Sequence, residues 1–343
     1  SYSIDVYRGN LKPTRSLINF AAFVSFFPQL VAGPIERATR LLPQIENKRA
    51  FKYEEGVAGL RLILWGIFKK VVVADTCAIY ANDIFANYTE YSGATLMLGA
   101  VYFAFQIYGD FSGYSDIAIG TAKLFGIQLM TNFKTPYFSR DIAEFWRRWH
   151  ISLSTWFRDY LYIPLGGSRV GKWKSVRNVF IIFLVSGFWH GANWTFIVWG
   201  GIHAALFLPL LLRGKNRRYT SDTIGEGRWL PTAREFLGMA WTFSMVCVAW
   251  VFFRAASVSE AIHYLAHAFN FENIFSAPQK VSYTACVYIL SLIAGDWMVK
   301  SGSMPRRWNA PAFTAVRWGM ASIGIWFILK NFGSQADFIY FQF

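Results

Sequence analysis

Charged side chains are scarce in this sequence of 343 residues. Asp, Glu, Lys and Arg together make up 16% of it, whereas hydrophobic residues make up 54% and aromatic residues 19%. An ordinary soluble domain carries roughly a quarter charged residues. The composition therefore argues against a soluble domain and indicates a chain whose surroundings are largely lipid.

Cysteine is rarer still and shows no ligand spacing. Cys77, Cys247 and Cys286 lie in or beside apolar runs, and none of them follows the CxxC pattern of metal sites and redox motifs. We expect free thiols, no disulfide framework and no bound metal.

Acidic residues are fewer than basic ones, 20 against 34, which gives a net charge of +14. Such a charge is compatible with nucleic-acid binding, but the Lys and Arg residues gather in short connections between apolar runs, as in 213–218 and at Arg306 and Arg307. This distribution is the orientation signal of the positive-inside rule, and it also attracts anionic headgroups. We expect a lipid bilayer as the partner and no nucleic acid.

Long apolar runs, by contrast, are abundant. A spanning helix needs about 20 mostly apolar residues, and the runs that approach this length predict roughly seven to nine membrane segments. We therefore expect an all-α, multi-pass membrane protein with a single domain over residues 1–343, because spanning helices share one lipid-facing exterior. The predicted segments are 93–108, 176–189, 194–212, 236–253, 283–299 and 313–329, with shorter or charge-interrupted candidates at 17–32 and 57–73.

One long segment, residues 132–178, is amphipathic rather than apolar. It contains FWRRWH at residues 145–150 and WFRDY at residues 156–160. Trp and Tyr favour the headgroup level of a bilayer, and Arg can extend its charge to that level. The segment is therefore expected to lie in the interface or to fold back partway into the protein. The basic run 169–177 then returns the chain to an aqueous surface, most simply the cytoplasm.

His190 lies between two apolar runs, in the sequence SGFWHGANW of residues 186–194. An ionisable side chain at membrane depth is costly and usually faces a protein interior or a water-filled path. A neutral imidazole there can take a proton from an attacking hydroxyl or thiol, so His190 is the first candidate for a catalytic base. The alternative is a structural histidine that donates to a backbone carbonyl. Gly187 and Gly191 allow close backbone approach and would leave room for a substrate chain.

The remaining histidines are weaker candidates. His150 ranks second, as a donor that positions a carbonyl or completes an oxyanion site, although an interfacial histidine in an aromatic belt explains it about as well. His203 ranks third. His263 and His267 lie one helical turn apart, a spacing that can bind a metal, but they lack the zincin arrangement with Glu, and a solvated helix face is the better interpretation.

Two acidic residues, Asp110 and Asp116, follow an apolar run within YGDFSGYSD of residues 108–116. They line a polar entrance or cap the next helix, and capping by Asp and Ser side chains is the simpler interpretation. The sequence contains no Gly-x-Ser-x-Gly elbow, Walker loop or dinucleotide-binding fingerprint. This argues against serine hydrolases, NTPases and dehydrogenases.

Five long stretches of the sequence resemble the membrane-bound O-acyltransferase (MBOAT) family. The resemblance is to its bacterial AlgI-like branch, which includes alginate and peptidoglycan O-acetyltransferases and teichoic-acid D-alanylation proteins. The stretches cover residues 27–35, 108–116, 145–167, 186–194 and 337–343.

The resemblance implies a helical ring around a central funnel or tunnel, with interfacial and re-entrant helices, through which a cytosolic thioester reaches an extracytoplasmic acceptor. It implies that His190 matches the family's histidine and that His150 falls at its second polar position. Candidates for the lining of the tunnel, where a donor would bind, are Arg147, Arg148, Trp149 and Asn193. Family members of this kind usually have further N-terminal spans, so we expect such spans to be missing before Ser1.

The function predicted from these features is that of an O-acetyltransferase in the bacterial inner membrane. By resemblance, acetyl-CoA is the expected donor, an alginate-like or peptidoglycan polysaccharide the acceptor, and a periplasmic acetyltransferase-type protein the partner, with no bound cofactor. A transporter or channel for an acyl donor is the alternative, because buried histidines and basic entrances fit it too. A structural scaffold for an export complex is the third reading.

Overall fold

The computed structural model describes residues 1–220, 223–270, 275–300, 310–333, 336, 338 and 339. These residues form helices and connecting loops, with no strand among them, so the all-α prediction is confirmed. Arg306, Arg307, Asp337 and residues 340–343, which the sequence patterns singled out, lie outside the described residues.

The described part of the chain contains α-helices of very different lengths, together with π-helical segments at Phe68–Ala74 and Arg158–Tyr162. The α-helices are α1 (Tyr2–Tyr7), α2 (Leu17–Val24), α3 (Ala38–Glu46), α4 (Tyr53–Ile67), α5 (Asp75–Ala86), α6 (Gly93–Leu124), α7 (Ile142–Arg148), α8 (Ile151–Phe157), α9 (Lys172–His190), α10 (Trp194–Leu212), α11 (Ala233–Arg254), α12 (Val258–Ala268), α13 (Tyr283–Val299) and α14 (Thr314–Asn331).

Glycines bring α4 and α6 into close contact. A Cβ atom added to Gly66 would lie 2.5 Å from the carbonyl oxygen of Gly113, and one added to Gly120 would lie 2.5 Å from the carbonyl oxygen of Gly59. Small residues let helix backbones approach closely, which is how helices associate where lipid removes the hydrophobic driving force. The contact makes α6, with 32 residues, the central element to which α4 is fixed.

Helices α9 and α10 form a second close pair, which carries His190. A Cβ atom at Gly187 would lie 2.2 Å from the carbonyl oxygen of Phe196, and one at Gly200 would lie 2.2 Å from that of Phe183. The residue numbers of the two contacts run in opposite directions, so the helices are antiparallel. The space beside Gly187, expected to admit a substrate chain, is occupied by the backbone of α10.

Fewer helices than expected combine the length and the hydropathy of a membrane span. Among the described residues these are Trp194–Leu212, Ala233–Arg254 and Pro311–Asn331, with shorter apolar helices at Leu17–Gln29 and Tyr283–Val299. The predicted windows fall on helices, except that the window 17–32 covers α2 and a short 3₁₀ helix and ends in residues 30–32, which are not helical. However, α6 contains Asp110 and Asp116 within its length, and α9 begins with Lys172 and Lys174, so these two helices combine apolar and charged stretches. The count of seven to nine spans stays a prediction.

The amphipathic segment folds back into the protein, which is one of the two arrangements expected for it. It forms the short helices α7 and α8 and the π-helical segment Arg158–Tyr162. Phe145 and Trp149 are buried, whereas Trp173 at its far end is exposed. The aromatic residues of this segment therefore contribute to the protein interior as well as to its surface.

Asp159, in the π-helical part of this segment, contacts the first part of the chain. Its carboxylate accepts hydrogen bonds from Arg37 and, at 2.7 Å, from Nε of Arg158. Burial opposes the ionisation of Asp159, but the bonds from Arg158 and Arg37 hold the pKa of its carboxyl group below the ordinary value. The π-helical part of this segment is thus held to the first part of the chain by an ionic contact.

Asp110 and Asp116 do not cap a helix, so the simpler of the two interpretations was wrong. Both lie inside α6, where Asp116 pairs with Lys69 at 2.6 Å and Asp110 pairs with Lys70 at 3.0 Å. Each carboxylate pairs with a lysine of the π-helical segment Phe68–Ala74. Helix α6 continues through both positions to Leu124. A buried carboxylate needs such a partner.

Candidate functional site

His150 and His190 line one cavity of about 230 Å³. One water molecule needs only roughly 10–15 Å³ in such a measure, so the chamber is large enough for a small organic group. Its walls are apolar and mostly aromatic. The lining residues are Val31, Ile107, Phe111, Trp146, Trp149, His150, Leu153, Trp189, His190, Trp199, Trp250, Phe253 and Ile339.

His190 is the last residue of α9 and is partly buried. Its ring lies edge-on to Trp199, with centroids 5.3 Å apart, and edge-on to Phe253 at 5.1 Å. Because these rings come from α10 and α11, three helices together fix the orientation of the imidazole. The close glycine contact between α9 and α10 sets the position of its backbone.

His150 occupies the turn between α7 and α8 in a left-handed backbone conformation, with φ 43° and ψ 54°. Such a conformation costs a residue other than glycine about 1–3 kcal/mol, and it persists only where the surroundings enforce it. Here Asn132 enforces it. The backbone N–H of Ile151 donates to the Asn132 carbonyl at 2.9 Å, and the Ser152 hydroxyl donates to the Asn132 side chain at 2.9 Å.

The imidazole of His150 is buried against aromatic rings. It is 4% exposed, and it meets the ring of Phe111 edge-on at 4.7 Å and that of Trp189 at 6.2 Å. Trp189 precedes His190 in α9. The cavity therefore brings together the two histidines that the sequence ranked first and second.

The four candidates for the tunnel lining occupy different places. Trp149 lines the cavity, is 3% exposed and packs against Trp250 with centroids 5.2 Å apart. Arg147 donates to the carbonyl of Asn216 at 2.8 Å, and Arg148 pairs with Glu144 at 2.8 Å. Asn193 is exposed and caps α10 by accepting from the N–H of Thr195 at 3.1 Å. These last three lie outside the cavity lining.

Most of the chain matches a known protein family. Residues 9–247 match the model of the MBOAT, membrane-bound O-acyltransferase family. The chain belongs to this family. It is accordingly a membrane protein, in agreement with its apolar helices.

This MBOAT chain is similar to several bacterial proteins. It is 45% identical to "Probable alginate O-acetylase AlgI" of Pseudomonas putida over 79% of this chain and 53% of the relative. It is 42% identical to "Peptidoglycan O-acetyltransferase" of Helicobacter pylori over 72% of this chain and 46% of the relative. It is 30% identical to "Teichoic acid D-alanyltransferase" of Bacillus subtilis over 71% of this chain and 63% of the relative. The chain spans about half the length of the alginate and peptidoglycan relatives.

The other histidines of this MBOAT chain do not line the cavity. Nδ1 of the fully buried His203 lies 3.3 Å from the indole N–H of Trp146, which donates to it, so His203 helps to hold a cavity-lining ring. His263 is exposed, and a ring nitrogen of His267 lies 3.0 Å from the Tyr91 carbonyl. The described residues include no group of three or more His, Cys, Asp or Glu that could hold a metal ion.

Sequence reasoning missed the aromatic residues that α10 and α11 bring to the cavity of this MBOAT chain. Trp199 and Trp250 are each 1% exposed, and their rings stack with centroids 5.9 Å apart. Aromatic residues on an apolar helix are typical of any core, so no signal in the sequence distinguishes these two. A larger depression of about 460 Å³ between the end of α3 and the end of α6 is open to the surface and has no histidine in its lining.

Proposed function

We propose that this protein is a membrane O-acyltransferase that transfers an acetyl group from a cytosolic thioester to a hydroxyl group of an exported or cell-wall polysaccharide, directly or through a partner. The observation that carries the proposal is the meeting of His150 and His190 in one aromatic cavity of an MBOAT chain. The names of the relatives support acetyl transfer to alginate or peptidoglycan.

The proposed chemistry uses His190 as the general base. Its neutral imidazole takes the proton of the attacking hydroxyl while that oxygen forms a bond to the carbonyl carbon of the thioester. The carbon–sulfur bond then breaks, and the leaving thiolate receives the proton from the imidazolium, which regenerates His190. His150 donates a hydrogen bond to the carbonyl oxygen as negative charge develops on it. The apolar walls exclude water, which would otherwise consume the thioester.

Acetyl-CoA is the proposed donor, and basic loops support its entry from the cytosolic side. Because α9 and α10 are antiparallel, residues 169–177 and 213–218 lie at the same end of this helix pair. Their Lys and Arg side chains, of which Lys172 and Arg217 are exposed examples, attract phosphate groups. His190 lies at the other end of α9, roughly 28 Å away along a helix of 19 residues.

The proposed setting is the bacterial inner membrane, because the relatives are bacterial proteins named for cell-surface polymers. The acceptor would lie on the outer side of this membrane, opposite the basic loops. A periplasmic acetyltransferase-type protein is the proposed partner for the final delivery of the acetyl group to the sugar.

The proposal is tested by replacing His190 with Ala in the full-length protein and measuring polysaccharide acetylation in cells. We expect a loss of about 10²- to 10⁴-fold, which is the usual contribution of a general base. His263→Ala is the matched control, because that histidine is exposed on α12. Undiminished acetylation at normal protein levels would contradict the proposal.

A second measurement separates acyl transfer from transport without chemistry. Purified full-length protein is given acetyl-CoA labelled in the acetyl group, together with an acceptor glycan. An acyltransferase releases CoA and forms acetylated product, whereas a transporter leaves the thioester intact. If the thioester stays intact with a wild-type protein that supports acetylation in cells, the transport alternative is favoured.

A further inference from the structure

Lys70 is the centre of a buried ionic cluster in the π-helical segment Phe68–Ala74. Its ammonium group lies 2.6 Å from Asp75 and 3.0 Å from Asp110. These carboxylate side chains are 1% and 3% exposed. The same ammonium group donates to the backbone carbonyl of Ala336 at 3.1 Å. The cluster thus reaches a part of the chain that is distant in sequence.

Asp110 makes a second contact with that part of the chain. While one oxygen faces Lys70, the other accepts the backbone N–H of Ile339 at 2.6 Å. Ile339 is 1% exposed and lines the same cavity as His150 and His190. The lysine and the aspartate therefore bind two backbone groups, the carbonyl of Ala336 and the N–H of the cavity-lining Ile339.

From this geometry we propose that Lys70 and Asp110 are positioning residues that hold Ala336 and Ile339 in place, so that Ile339 closes the wall of the cavity beside the two histidines. This inference rests on the proposed function, because it assigns the wall a part in catalysis. Neither Lys70 nor Asp110 lines the cavity itself, so both act through Ile339.

The chemistry of the contacts explains why ionic groups serve here. Hydrogen bonds with a charged partner are shorter and about twice as strong as neutral ones. Removal of one member of a buried ion pair leaves the other charge uncompensated, which is strongly destabilising at that point. The position of a cavity wall held in this way therefore depends strongly on both partners of the ion pair.

A neighbouring pair provides a matched control. Lys69 is 4% exposed, pairs with Asp116 at 2.6 Å and donates to the Ser112 hydroxyl at 2.9 Å. It comes from the same π-helical segment and contacts the same helix α6, but its described contacts, to Asp116 and Ser112, do not include Ala336 or Ile339. Lys69→Met and Lys70→Met therefore each remove one lysine that pairs with a carboxylate of α6, with different consequences for Ile339.

The first test measures the position of Ile339 without using catalysis. Ile339→Cys is introduced into the full-length protein, and the labelling rate of this cysteine by a maleimide is measured in membranes, with the chain lacking the new cysteine as the blank. We expect slow labelling with Lys70 intact, an increase of at least about tenfold with Lys70→Met, and no increase with Lys69→Met. If the cysteine introduced at position 339 is labelled equally fast with Lys70 intact and with Lys70→Met, the proposal is overturned.

The second test measures turnover with purified protein. We expect Lys70→Met to lower kcat by at least about tenfold while the KM for the thioester changes by less than about twofold, because the wall orients the reacting end and not the donor's phosphates. Lys70→Arg is expected to restore part of the rate. Unchanged kcat in Lys70→Met, or the same loss in Lys69→Met, would overturn the proposal. Since labelling needs no turnover, its result stands even if the proposed acyl transfer fails its own test.

Discussion

His150 is one of the described non-glycine residues with a positive φ, and another, Val31, also lines the cavity. For a β-branched residue such as Val31, at φ 67°, this conformation is an outlier. Backbone strain of this kind clusters at sites where side chains must be held in one direction. The strain at His150 is consistent with its proposed role as a fixed hydrogen-bond donor.

Asn132 is the residue on which the His150 turn depends. We expect Asn132→Ala to lower acetyl transfer by about ten- to a hundredfold, because a small displacement of a catalytic group is enough for such a loss. The substitution removes the bonds to Ser152 and to Ser115, the latter 3.0 Å long. The measurement is initial rate with purified protein.

Asn87→Ala is the control for this change. Asn87 makes two side-chain hydrogen bonds, both to Asp83, and lies outside the His150 turn. We expect each substitution to cost about 1 kcal/mol of stability per lost bond, and only Asn132→Ala to affect the rate beyond that. Equal rates in the two variants would show that His150 does not need Asn132.

The residues that sequence reasoning found are those with distinctive chemistry in an unusual place. The cost of an ionisable group among apolar residues points to His190, and the amphipathic FWRRWH sequence points to His150; both line the cavity. Arg147, Arg148 and Trp149 are neighbours in sequence. Neighbours on a helix point in different directions, and only Trp149 faces the cavity.

At the scale of elements, the α9–α10 pair determines where His190 lies. Gly187 and Gly200 leave no room for a side chain between the two backbones. The contact lies one helical turn before His190, so any change in the spacing of the helices moves the imidazole. Flexible side chains could adapt to a larger residue, but the atoms nearest Gly187 belong to the backbone of Phe196 and Ile197.

Gly187→Ala is therefore expected to destabilise the protein by about 1–3 kcal/mol and to lower activity, because α9 and α10 must separate. Thermal unfolding in detergent and initial rates measure the two effects. Gly319→Ala in α14 is the control, since a Cβ atom there meets nothing within 4 Å. Alanine favours helix over glycine, so we expect the control to be neutral or slightly stabilised. A neutral Gly187→Ala would contradict the close contact.

Hydrophobic patterning located the helices better than it described their interiors. Each predicted apolar window falls on a helix, apart from 17–32, whose last residues are not helical. The polar stretch after Tyr108 was instead interpreted as a helix end, because Asp and Ser commonly act as caps. The lysines that pair with Asp110 and Asp116 lie about forty residues earlier in sequence. Only the three-dimensional contact of the π-helical segment with α6 reveals that the helix continues.

At the scale of the whole molecule, the basic loops 169–177 and 213–218 lie away from the cavity. The net charge is +14, and the loops 169–177 and 213–218 contain Lys and Arg without any acidic residue. None of their described cations takes part in an ion pair. The helix pair α9–α10 thus has a basic end and, at its other end, His190.

We expect the double substitution Lys172→Gln and Lys174→Gln to raise the KM for acetyl-CoA by about three- to tenfold at low salt, with kcat unchanged, because exposed charge steers an anionic donor. The difference should fade at high salt, where the Debye length is only about 3 Å. Lys12→Gln with Arg15→Gln removes the same charge from another exposed segment as a control. A loss of kcat, or an equal effect of the control, would contradict a role in donor attraction.

The family was predictable from the sequence because its motifs are spread over the chain, and the family match over residues 9–247 confirms it. The helical ring around a funnel, the single domain over residues 1–343 and the expected spans before Ser1 stay predictions. The chain spans about half the length of its alginate and peptidoglycan relatives.

The π-helical segment Phe68–Ala74 makes the number of residues between α4 and α5 matter as much as their identity. Its wider turn lets the adjacent side chains of Lys69 and Lys70 both contact α6. A substitution in this segment alters one contact. Deletion of one residue would rotate every residue that follows by about 100° around the helix axis. The contacts of the whole of α5 would then change register together.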